Sequence, residues 1–332
     1  MTMPVLEVQD LTVGLTGKVN AGPIVEGLNF AIDAGKCLGV VGESGSGKST
    51  VALAVMGLLE AATLTAQGKV RLQGDDLLAL RPADLRDRQG RDIAMIFQDP
   101  SSSLNPVQRI GDQIVESLCA HQTLSRTKAH AQAIATLTRV GMPDPAGMMR
   151  RYPHQLSGGQ RQRVMIAMAV ILKPRLLVAD EPTTALDLTI QAQILALLKG
   201  LVAETGMALL IISHDLGVVA ELADEVIVLY AGRAVECGPT ARVLDHPRHP
   251  YTIGLIAAHP RTENRGQRLT PIPGAPPALM RRPTGCAFHP RCALATADCA
   301  TLQPDTITLT DGQAAACLHL DLTAEETRHE PA

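Results

Sequence analysis

A glycine-rich turn between an apolar strand and a helix constrains the fold of this chain most. The segment Gly42–Thr50 has the pattern G-x-x-x-x-G-K-S, follows the apolar run Cys37–Val41 and precedes the helical run Val51–Leu59. Glycines in such a turn let backbone N–H groups surround a phosphate, and the N-terminus of the helix adds its dipole. The sequence therefore predicts a phosphate site on a strand–loop–helix unit. Its residues are Gly42, Glu43, Ser44, Gly45, Ser46, Gly47, Lys48, Ser49 and Thr50.

Charged and hydroxyl side chains complete this predicted site. In a loop of this kind the lysine, Lys48, reaches the β- and γ-phosphates, and the hydroxyl of Ser49 binds Mg²⁺. A second apolar strand, Leu176–Ala179, ends in Asp180 and Glu181. One carboxylate at a strand end can hold the Mg²⁺ shell, and the next can accept a proton from attacking water. Adjacent carboxylates are a weak signal alone, and the loop around Lys48 makes them a strong one.

Apolar runs alternate with helix-like segments over the first 240 residues, which predicts a layered α/β domain. Runs such as Leu209–Ile212 and Val226–Leu229 are continuous, as in buried parallel strands. The alternation stops over residues 99–153, where the apolar spacing is helical, and the chain becomes proline-rich after residue 238. We predict an α/β core at residues 1–98 and 154–240, an inserted helical subdomain at 99–153 and a loop-rich C-terminal extension at 241–332.

Composition limits the partners and the location. Hydrophobic residues make up 46% and charged residues 19% of the chain, and the net charge is -3, so nothing indicates an electrostatic grip on nucleic acid. The longest apolar run, Val164–Leu172, is too short to span a bilayer, and the N-terminus lacks the pattern of a signal peptide. We expect a cytosolic protein that reaches a membrane through a partner.

Further elements in a fixed order identify a family. They are Ser157, Gly158, Gly159 and Gln160 before the helical run Arg161–Leu172, Gln98 after the strand Ile93–Phe97, Asp187 after the acidic strand, and His214 after the strand Leu209–Ile212. Together with the phosphate loop and the acidic strand, this order resembles the ATP-binding cassette (ABC) ATPases over residues 4–240. The resemblance implies an ABC-type P-loop ATPase core with ATP and Mg²⁺ as cofactors.

The resemblance also implies a second anion site. Ser157 and the amides of Gly158 and Gly159, at a helix N-terminus, face the γ-phosphate held by another subunit in this family. Two cassettes therefore enclose two nucleotides head to tail, with Asp187 expected at the seam between them.

The resemblance assigns chemistry to three further side chains. It makes Glu181 the general base, His214 a contact to the γ-phosphate, and Gln98 a link between Mg²⁺ or water and the transmembrane partner. One position departs from the family, because Leu15 occupies the place of an aromatic side chain that stacks on adenine. Leu15 itself, Val19, Ile24 or a partner then contacts the base, and the use of GTP stays open.

The C-terminal part of the chain resembles one particular group within this family. The segments His249–Leu255, Ile272–Pro277 and Gly285–Cys292 resemble the C-terminal extension of the oligopeptide/dipeptide importer ATPases, and Phe97–Pro106 resembles their glutamine loop. Nickel, opine and glutathione importers belong to the same group, and their solutes stay open as alternatives to peptides. One cassette per chain and no long heptad run disfavour the soluble ABC proteins of translation and repair, and an ATPase of a metal or iron–sulfur pathway stays open.

This resemblance implies partners and a location. We expect the ATP-hydrolysing subunit of a bacterial importer, at the cytoplasmic face of the inner membrane. It would work with a second cassette, commonly a related but non-identical chain in this group, with two transmembrane permease subunits and with an extracytoplasmic solute-binding protein.

Four of the seven cysteines are clustered near the end, spaced C-x5-C-x6-C-x17-C. They are Cys286, Cys292, Cys299 and Cys317. Thiolates suit a [4Fe–4S] cluster or zinc alike. Some members of the importer group carry a [4Fe–4S] cluster in this extension, and all four of its cysteines have a match here, so we expect the cluster. Zinc, with His289 and His319 as alternative ligands, and unmetallated thiols stay open.

Two simpler predictions concern residues outside these sites. Cys237 is expected in a turn. Several arginines of the tail are expected in a solvated loop, with contact to lipid headgroups or a partner as the alternative. They are Arg261, Arg265, Arg268, Arg281 and Arg282.

Overall fold

The computed structural model describes residues 3–17, 22–259, 270–278 and 281–320. Four residues named in the sequence analysis lie outside this part of the chain. They are Val19, Arg261, Arg265 and Arg268.

Strands and helices alternate along the described residues. The strands are β1 Leu6–Leu15, β2 Val25–Ile32, β3 Cys37–Val41, β4 Leu64–Leu72, β5 Asp75–Asp76, β6 Ile93–Ile96, β7 Leu176–Asp180, β8 Ala208–Ser213, β9 Glu225–Tyr230, β10 Arg233–Pro239, β11 Ile307–Thr308 and β12 Ala314–Ala315. The α-helices are α1 Lys48–Met56, α2 Pro82–Arg88, α3 Pro100–Ser103, α4 Ile110–Cys119, α5 Arg126–Arg139, α6 Pro145–Met148, α7 Gly158–Val170, α8 Leu188–Thr205, α9 Leu216–Leu222, α10 Thr240–Asp245 and α11 Pro250–Ala257.

Several elements differ at their ends from the prediction. Helix α1 begins at Lys48 and not at Val51, and α7 begins at Gly158 and not at Arg161. Strand β6 ends at Ile96, so Gln98 lies just beyond the strand. Both helices begin earlier because their first turns consist of glycine or polar residues, which the apolar periodicity does not mark.

The described residues form two compact units, of which the first lies within Met1–Leu6, Ala31–Cys37 and Arg71–Ile212. In it, β6, β7 and β8 pair in parallel in the order β8–β7–β6. Every residue of these strands is buried, as in strands covered on both faces. The predicted apolar strands Leu176–Ala179 and Leu209–Ile212 are therefore confirmed.

Helices pack against one another in the same unit. Helices α4 and α5 both contact α7. Their buried residues recur at helical spacing, which gives each helix one apolar face. They include Ile110, Ile114 and Leu118 in α4, and they are Ala129, Ala133 and Leu137 in α5. The helical character predicted for residues 99–153 is present, and the limits of a subdomain there stay a prediction.

The second unit lies within Glu7–Phe30, Leu38–Val70 and Ser213–Ala332. Its strand β3 pairs in parallel with β9, and β9 pairs antiparallel with β10. The short strand β12 of the C-terminal extension pairs with β10, with Cys237 opposite Ala314. Cys237 therefore lies in a strand, and the prediction of a turn was wrong because an isolated cysteine carries no periodic signal.

An aromatic cluster anchors the extension in this unit. The ring centroids of Tyr230 and Tyr251 are 4.6 Å apart, and that of Phe288 lies 5.2 Å from Tyr230 and 5.4 Å from Tyr251. The chain has only three Tyr and three Phe and no Trp. Half of these aromatic side chains therefore join the tail to the end of β9. Because each ring buries a large apolar area, this contact stabilises the position of the extension.

Arg282 also holds the extension in place. Its guanidinium pairs with Glu26 and donates to the carbonyl of Pro23, and its side chain is only 11% exposed. The prediction of a solvated loop was therefore wrong for Arg282, because charge composition alone does not show which arginine finds a carboxylate.

Glu236 of β10 is a buried acid under the extension. Its carboxylate accepts hydrogen bonds from the backbone N–H groups of Arg248 and His249 at 2.7 and 2.9 Å. Burial raises the pKa of Glu236 to about 7. His249 itself is fully buried, and burial lowers its pKa to about 3.

No helix among residues 3–17, 22–259, 270–278 and 281–320 combines the length and the apolar character that a membrane span requires.

The raised pKa of Glu236 makes stability depend on pH. An acid whose pKa is higher in the folded chain stabilises the fold fully below its unfolded pKa, and this contribution is lost as the pH rises through the folded value. We predict that the free energy of unfolding of the wild type falls by roughly 2–3 kcal/mol more between pH 5 and pH 8 than that of Glu236→Gln. Urea unfolding at both pH values measures this difference. Glu225→Gln, a change of an exposed glutamate on the neighbouring strand β9, is the control. Equal pH dependence in wild type and Glu236→Gln would contradict the prediction.

Candidate functional site

Backbone geometry at three glycines shapes the loop between β3 and α1. Gly42, Gly45 and Gly47 have backbone φ angles of 155°, 79° and 103°, which residues other than glycine rarely adopt. A Cβ on Gly42 would lie 2.2 Å from the carbonyl oxygen of Leu229, so a side chain would collide with the neighbouring backbone. The loop therefore requires glycine at the point where it leaves the strand.

Lys48, the first residue of α1, folds back over this loop. Its Nζ donates to the carbonyl oxygens of Gly42 and Glu43 at 2.8 and 2.9 Å, and the residue is only 5% exposed. The Oγ of Ser46 is buried and has no hydrogen-bond partner among the described residues. A buried ammonium and an unsatisfied hydroxyl beside a helix N-terminus suit a phosphate, and this fits the prediction for Gly42–Thr50.

The acidic strand end of the first unit brings two predicted residues together. Asp180 ends β7 and is buried, and Glu181 follows it. The Oε2 of Glu181 accepts a hydrogen bond from Nε2 of Gln98 at 3.0 Å and one from Oγ1 of Thr184 at 2.9 Å. Two donors thus fix one carboxylate oxygen of Glu181. Sequence reasoning missed Thr184, which lies three residues beyond Glu181 in the turn that follows β7.

The backbone of Glu181 is held in an uncommon conformation. Its φ is 48°, in the left-handed region, which typically costs a non-glycine residue about 1–3 kcal/mol. The N–H of Glu181 donates to the carbonyl oxygen of Ile212 in β8 at 2.9 Å, which compensates part of this cost. Strain of this kind is characteristic of functional sites, because it aims one side chain at a fixed place.

Ser157 caps α7. Its Oγ accepts from the N–H of Gln160 at 3.3 Å, and Oε1 of Gln160 accepts from the N–H of Ser157 at 3.1 Å. This capping box fixes the helix N-terminus. A Cβ on Gly159 would lie 2.7 Å from Cγ2 of Ile190, so glycine permits close packing of α7 on α8. Ser157, Gly158 and Gly159 thus stand at a helix N-terminus, as expected for an anion site.

Asp187 and His214 lie at element ends. Asp187 caps α8, where its Oδ1 accepts from the N–H of Ile190 at 3.0 Å, and the next residue, Leu188, is 82% exposed. His214 is exposed and directly follows β8. Both positions agree with the order predicted from the sequence.

Two residues predicted to contact the base of the nucleotide, Leu15 and Ile24, belong to the described part of the chain. Leu15 is the last residue of β1 and is half-buried. The N–H of Ile24 donates to the carbonyl oxygen of Val13 in the same strand at 2.7 Å. Leu15 and Ile24 therefore both lie at the end of β1.

All four predicted cysteines line one small cavity in the extension, together with rings of Phe288 and several histidines. The cysteines are Cys286, Cys292, Cys299 and Cys317, and the histidines are His249, His289 and His319. Within the described part of the chain, no three His, Cys, Asp or Glu side chains are arranged to hold a metal ion. Burial raises the pKa of Cys292 to about 11 and also raises those of Cys286 and Cys317, which favours the protonated thiols.

Two residues of the extension reach the phosphate loop. The OH of Tyr251 accepts from the N–H of Glu43, and the guanidinium of Arg291 pairs with the carboxylate of Glu43. Sequence reasoning assigned no role to either residue. Their only signal was their place in the tail segments His249–Leu255 and Gly285–Cys292.

Comparison with known proteins agrees with the motifs. Residues 25–184 match the family described as ABC transporter, and residues 235–299 match the oligopeptide/dipeptide transporter C-terminal region. The oligopeptide transport ATP-binding protein OppD of Haemophilus influenzae is 47% identical over 314 residues, which cover 95% of this chain and 97% of the relative. OppD of Escherichia coli K12 is 46% identical over 312 residues, which cover 94% and 92%.

A solved structure supports the fold. A dimeric ATP-binding cassette in a post-hydrolysis state, bound to ADP and Pi, has a TM-score of 0.63 and 26% identity, over 71% of this chain and 98% of that chain. The predicted α/β fold with a P-loop ATPase core is confirmed. On its sequence and its structure, the chain belongs to the ATP-hydrolysing, ATP-binding subunits of ABC transporters, in the group that carries the oligopeptide/dipeptide transporter C-terminal region.

Proposed function

We propose that this chain is the ATP-hydrolysing subunit of a bacterial importer of dipeptides and oligopeptides. The observation that carries the proposal is the similarity to two OppD proteins over 94–95% of the chain, together with the matching C-terminal region. Nickel, opine and glutathione are alternative solutes, because the ATPase subunit does not itself select the solute.

Its proposed partners follow from this role. A second cassette, two permease subunits and an extracytoplasmic solute-binding protein complete the importer, and the chain binds peripherally at the cytoplasmic face of the inner membrane. We propose for the chain an α/β core at residues 1–98 and 154–240, a helical subdomain at 99–153 and an extension at 241–332. The dimeric state of the similar solved cassette supports pairing of two cassettes.

In the proposed site the phosphate chain of ATP lies in the loop Gly42–Thr50. The ammonium of Lys48 leaves the carbonyl oxygens of Gly42 and Glu43 and pairs with phosphate oxygens. Mg²⁺, when bound, neutralises charge that develops on the phosphates. Oxygen atoms of Ser49, Asp180 and Gln98 are the donor set proposed to hold it, and hard oxygen ligands of this kind are what Mg²⁺ prefers.

Glu181 is the proposed general base. Its carboxylate can accept a proton from the attacking water while Gln98 and Thr184 hold one of its oxygens. These two donors orient the carboxylate, and its other oxygen, Oε1, is the one proposed to face the water. His214 is the proposed contact to the γ-phosphate, and it follows a buried strand that fixes its backbone.

The segment Ser157–Gln160 is proposed to meet the nucleotide held by the partner cassette. The capped N-terminus of α7 offers a helix dipole and backbone N–H groups to the γ-phosphate. The exposed segment at Asp187 and Leu188 is proposed to lie at the seam between the cassettes.

A [4Fe–4S] cluster is proposed at the four cysteines. Their shared cavity supports this proposal, because four thiolates are the donor set that such a cluster uses. The cluster would stabilise a part of the chain with little regular structure, and zinc is the alternative. The cysteine loops would have to shift, since the thiols are not arranged as metal ligands in the described part of the chain.

Peptide uptake tests the proposed function. In cells that lack this chain, we expect wild type to restore uptake of labelled di- and tripeptides and Lys48→Ala to fail, because the loop then lacks its ammonium for the phosphates. Immunodetection of both proteins controls for their amounts. Uptake that is unaffected by the deletion would exclude these peptides and would direct the same test to nickel, opines and glutathione.

Hydrolysis tests the general base. Glu181→Gln should bind ATP normally and hydrolyse it at least about 100-fold more slowly, because the amide cannot accept the proton. Steady-state phosphate release and equilibrium ATP binding measure the two properties. Glu204→Gln, a change of an exposed glutamate in α8, is the control. Normal turnover by Glu181→Gln would contradict the assignment.

Metal analysis tests the cluster. Anaerobically purified chain should contain about four iron and four acid-labile sulfide per molecule, and Cys292→Ser should lower both. Cys119→Ser, which changes an exposed cysteine outside the cavity, should leave both unchanged. Zinc in place of iron would support the alternative, and absence of iron, sulfide and zinc would contradict any metal at this site.

A further inference from the structure

Arg291 of the extension binds the side chain of Glu43, a residue of the phosphate loop. NH1 and NH2 of Arg291 donate to the two carboxylate oxygens of Glu43 at 2.6 and 3.0 Å. The side chain of Arg291 is 5% exposed, and that of Glu43 is 26% exposed. A bidentate pair of this kind fixes orientation as well as distance, and its low exposure protects it from screening by salt.

The position of Arg291 is itself fixed by its surroundings. Its Nε donates to the carbonyl oxygen of Pro273 at 2.8 Å, and NH1 also lies 3.3 Å from the hydroxyl of Tyr230. The guanidinium carbon lies 5.8 and 5.9 Å from the ring centroids of Tyr230 and Phe288. Hydrogen bonds and aromatic faces thus hold the guanidinium before any nucleotide arrives.

A second contact fixes the backbone of the same loop. The peptide unit between Gly42 and Glu43 donates its N–H to the hydroxyl of Tyr251 at 2.8 Å, and its carbonyl accepts from Nζ of Lys48 at 2.8 Å. Tyr251 is fully buried, so its hydroxyl cannot move away easily. This peptide unit is therefore held at both ends, by the extension on one side and by the phosphate-binding lysine on the other.

We propose that the C-terminal extension sets the conformation of the phosphate loop, with Arg291 and Tyr251 as positioning residues for nucleotide binding. The tail segments around Tyr251 and Arg291 both contact Glu43, and the segment around Pro273 holds Arg291, so the three segments then share one task. The proposal goes beyond the importer function and depends only on nucleotide binding by this loop, so it stands whichever solute is transported.

The physical reason is the flexibility of the loop. Three glycines at positive φ give an unrestrained loop many conformations, and only a fraction of them point N–H groups at a phosphate. The apparent affinity for nucleotide falls in proportion to the competent fraction. Contacts with Arg291 and Tyr251 raise that fraction because they hold the Glu43 side chain and its backbone N–H.

Nucleotide binding by the full-length chain tests this proposal. The Kd for a fluorescent ATP analogue with Mg²⁺ is measured for wild type, Arg291→Met, Arg291→Lys, Tyr251→Phe and the double variant Glu43→Gln/Arg291→Met. The Tm of each protein is recorded in parallel. Arg233→Met is the matched control, because Arg233 makes a similar bidentate pair, with Glu26, that does not involve Glu43.

We expect Arg291→Met to raise the Kd about tenfold and Tyr251→Phe to raise it about three- to tenfold, as loss of one charged or one neutral hydrogen-bonded contact implies. Arg291→Lys keeps the charge without the fork and should fall between wild type and Arg291→Met. The double variant should bind no worse than Arg291→Met, because the two changes break the same pair. Arg233→Met should bind like wild type.

Steady-state ATP hydrolysis separates positioning from a purely structural role. A positioning role predicts that the KM for ATP rises in Arg291→Met more than kcat falls, and that Arg291→Lys recovers part of the affinity. Lowered Tm values with Kd and KM within twofold of wild type would overturn the proposal. So would an equal loss of affinity in Arg233→Met.

Discussion

The ammonium of Lys48 inside a loop of glycines is the interaction on which the site depends. A lysine only 5% exposed needs compensation, and the carbonyl oxygens of Gly42 and Glu43 supply it. The loop that presents these carbonyls turns through backbone conformations that favour glycine at Gly42, Gly45 and Gly47. A strand that ends in such a turn must itself be rigid, and β3 is buried at every residue. Charge, loop and strand are thus consequences of one requirement, which is to place a cation where phosphates can replace the carbonyls.

The sequence predicted the parts of the fold in which one residue type repeats. Strands β3, β7 and β8 are buried throughout, so their apolar runs are continuous and easy to detect. Strand β4 is partly exposed and contains a glycine and polar residues, and it gave no such signal. Helix α8 was also missed, because apolar residues occur on most of its faces and the periodicity is weak. Pattern detects uniform burial, and it fails where a strand or helix has a mixed environment.

The residues of the site likewise fall into those that the sequence predicted and those that only the structure shows. Local motifs located Lys48, Glu181 and Ser157, because their neighbours in the chain create their geometry. Contacts across long sequence separations were invisible, since Tyr251 and Arg291 lie 208 and 248 positions beyond Glu43. The place of Arg291 in the segment Gly285–Cys292 does not indicate its partner, and only the fold shows that this arginine meets a carboxylate.

The turn that carries Arg291 also separates two features of the extension. Its neighbour Cys292 and the nearby Cys286 line the cysteine cavity, whereas Arg291 points to Glu43. The contacts that hold Arg291 come from Pro273, Tyr230, Phe288 and Glu43, and none comes from a thiol. A group bound to the cysteines would therefore stiffen the turn around Arg291 without itself contacting Glu43 or the phosphate loop. The aromatic cluster holds both residues that contact Glu43, because Tyr230 and Phe288 pack against Arg291 and Tyr251. The proposed positioning of the phosphate loop thus relies on aromatic packing in which Phe288 also lines the cysteine cavity, so a group bound there would act on the loop only through this packing.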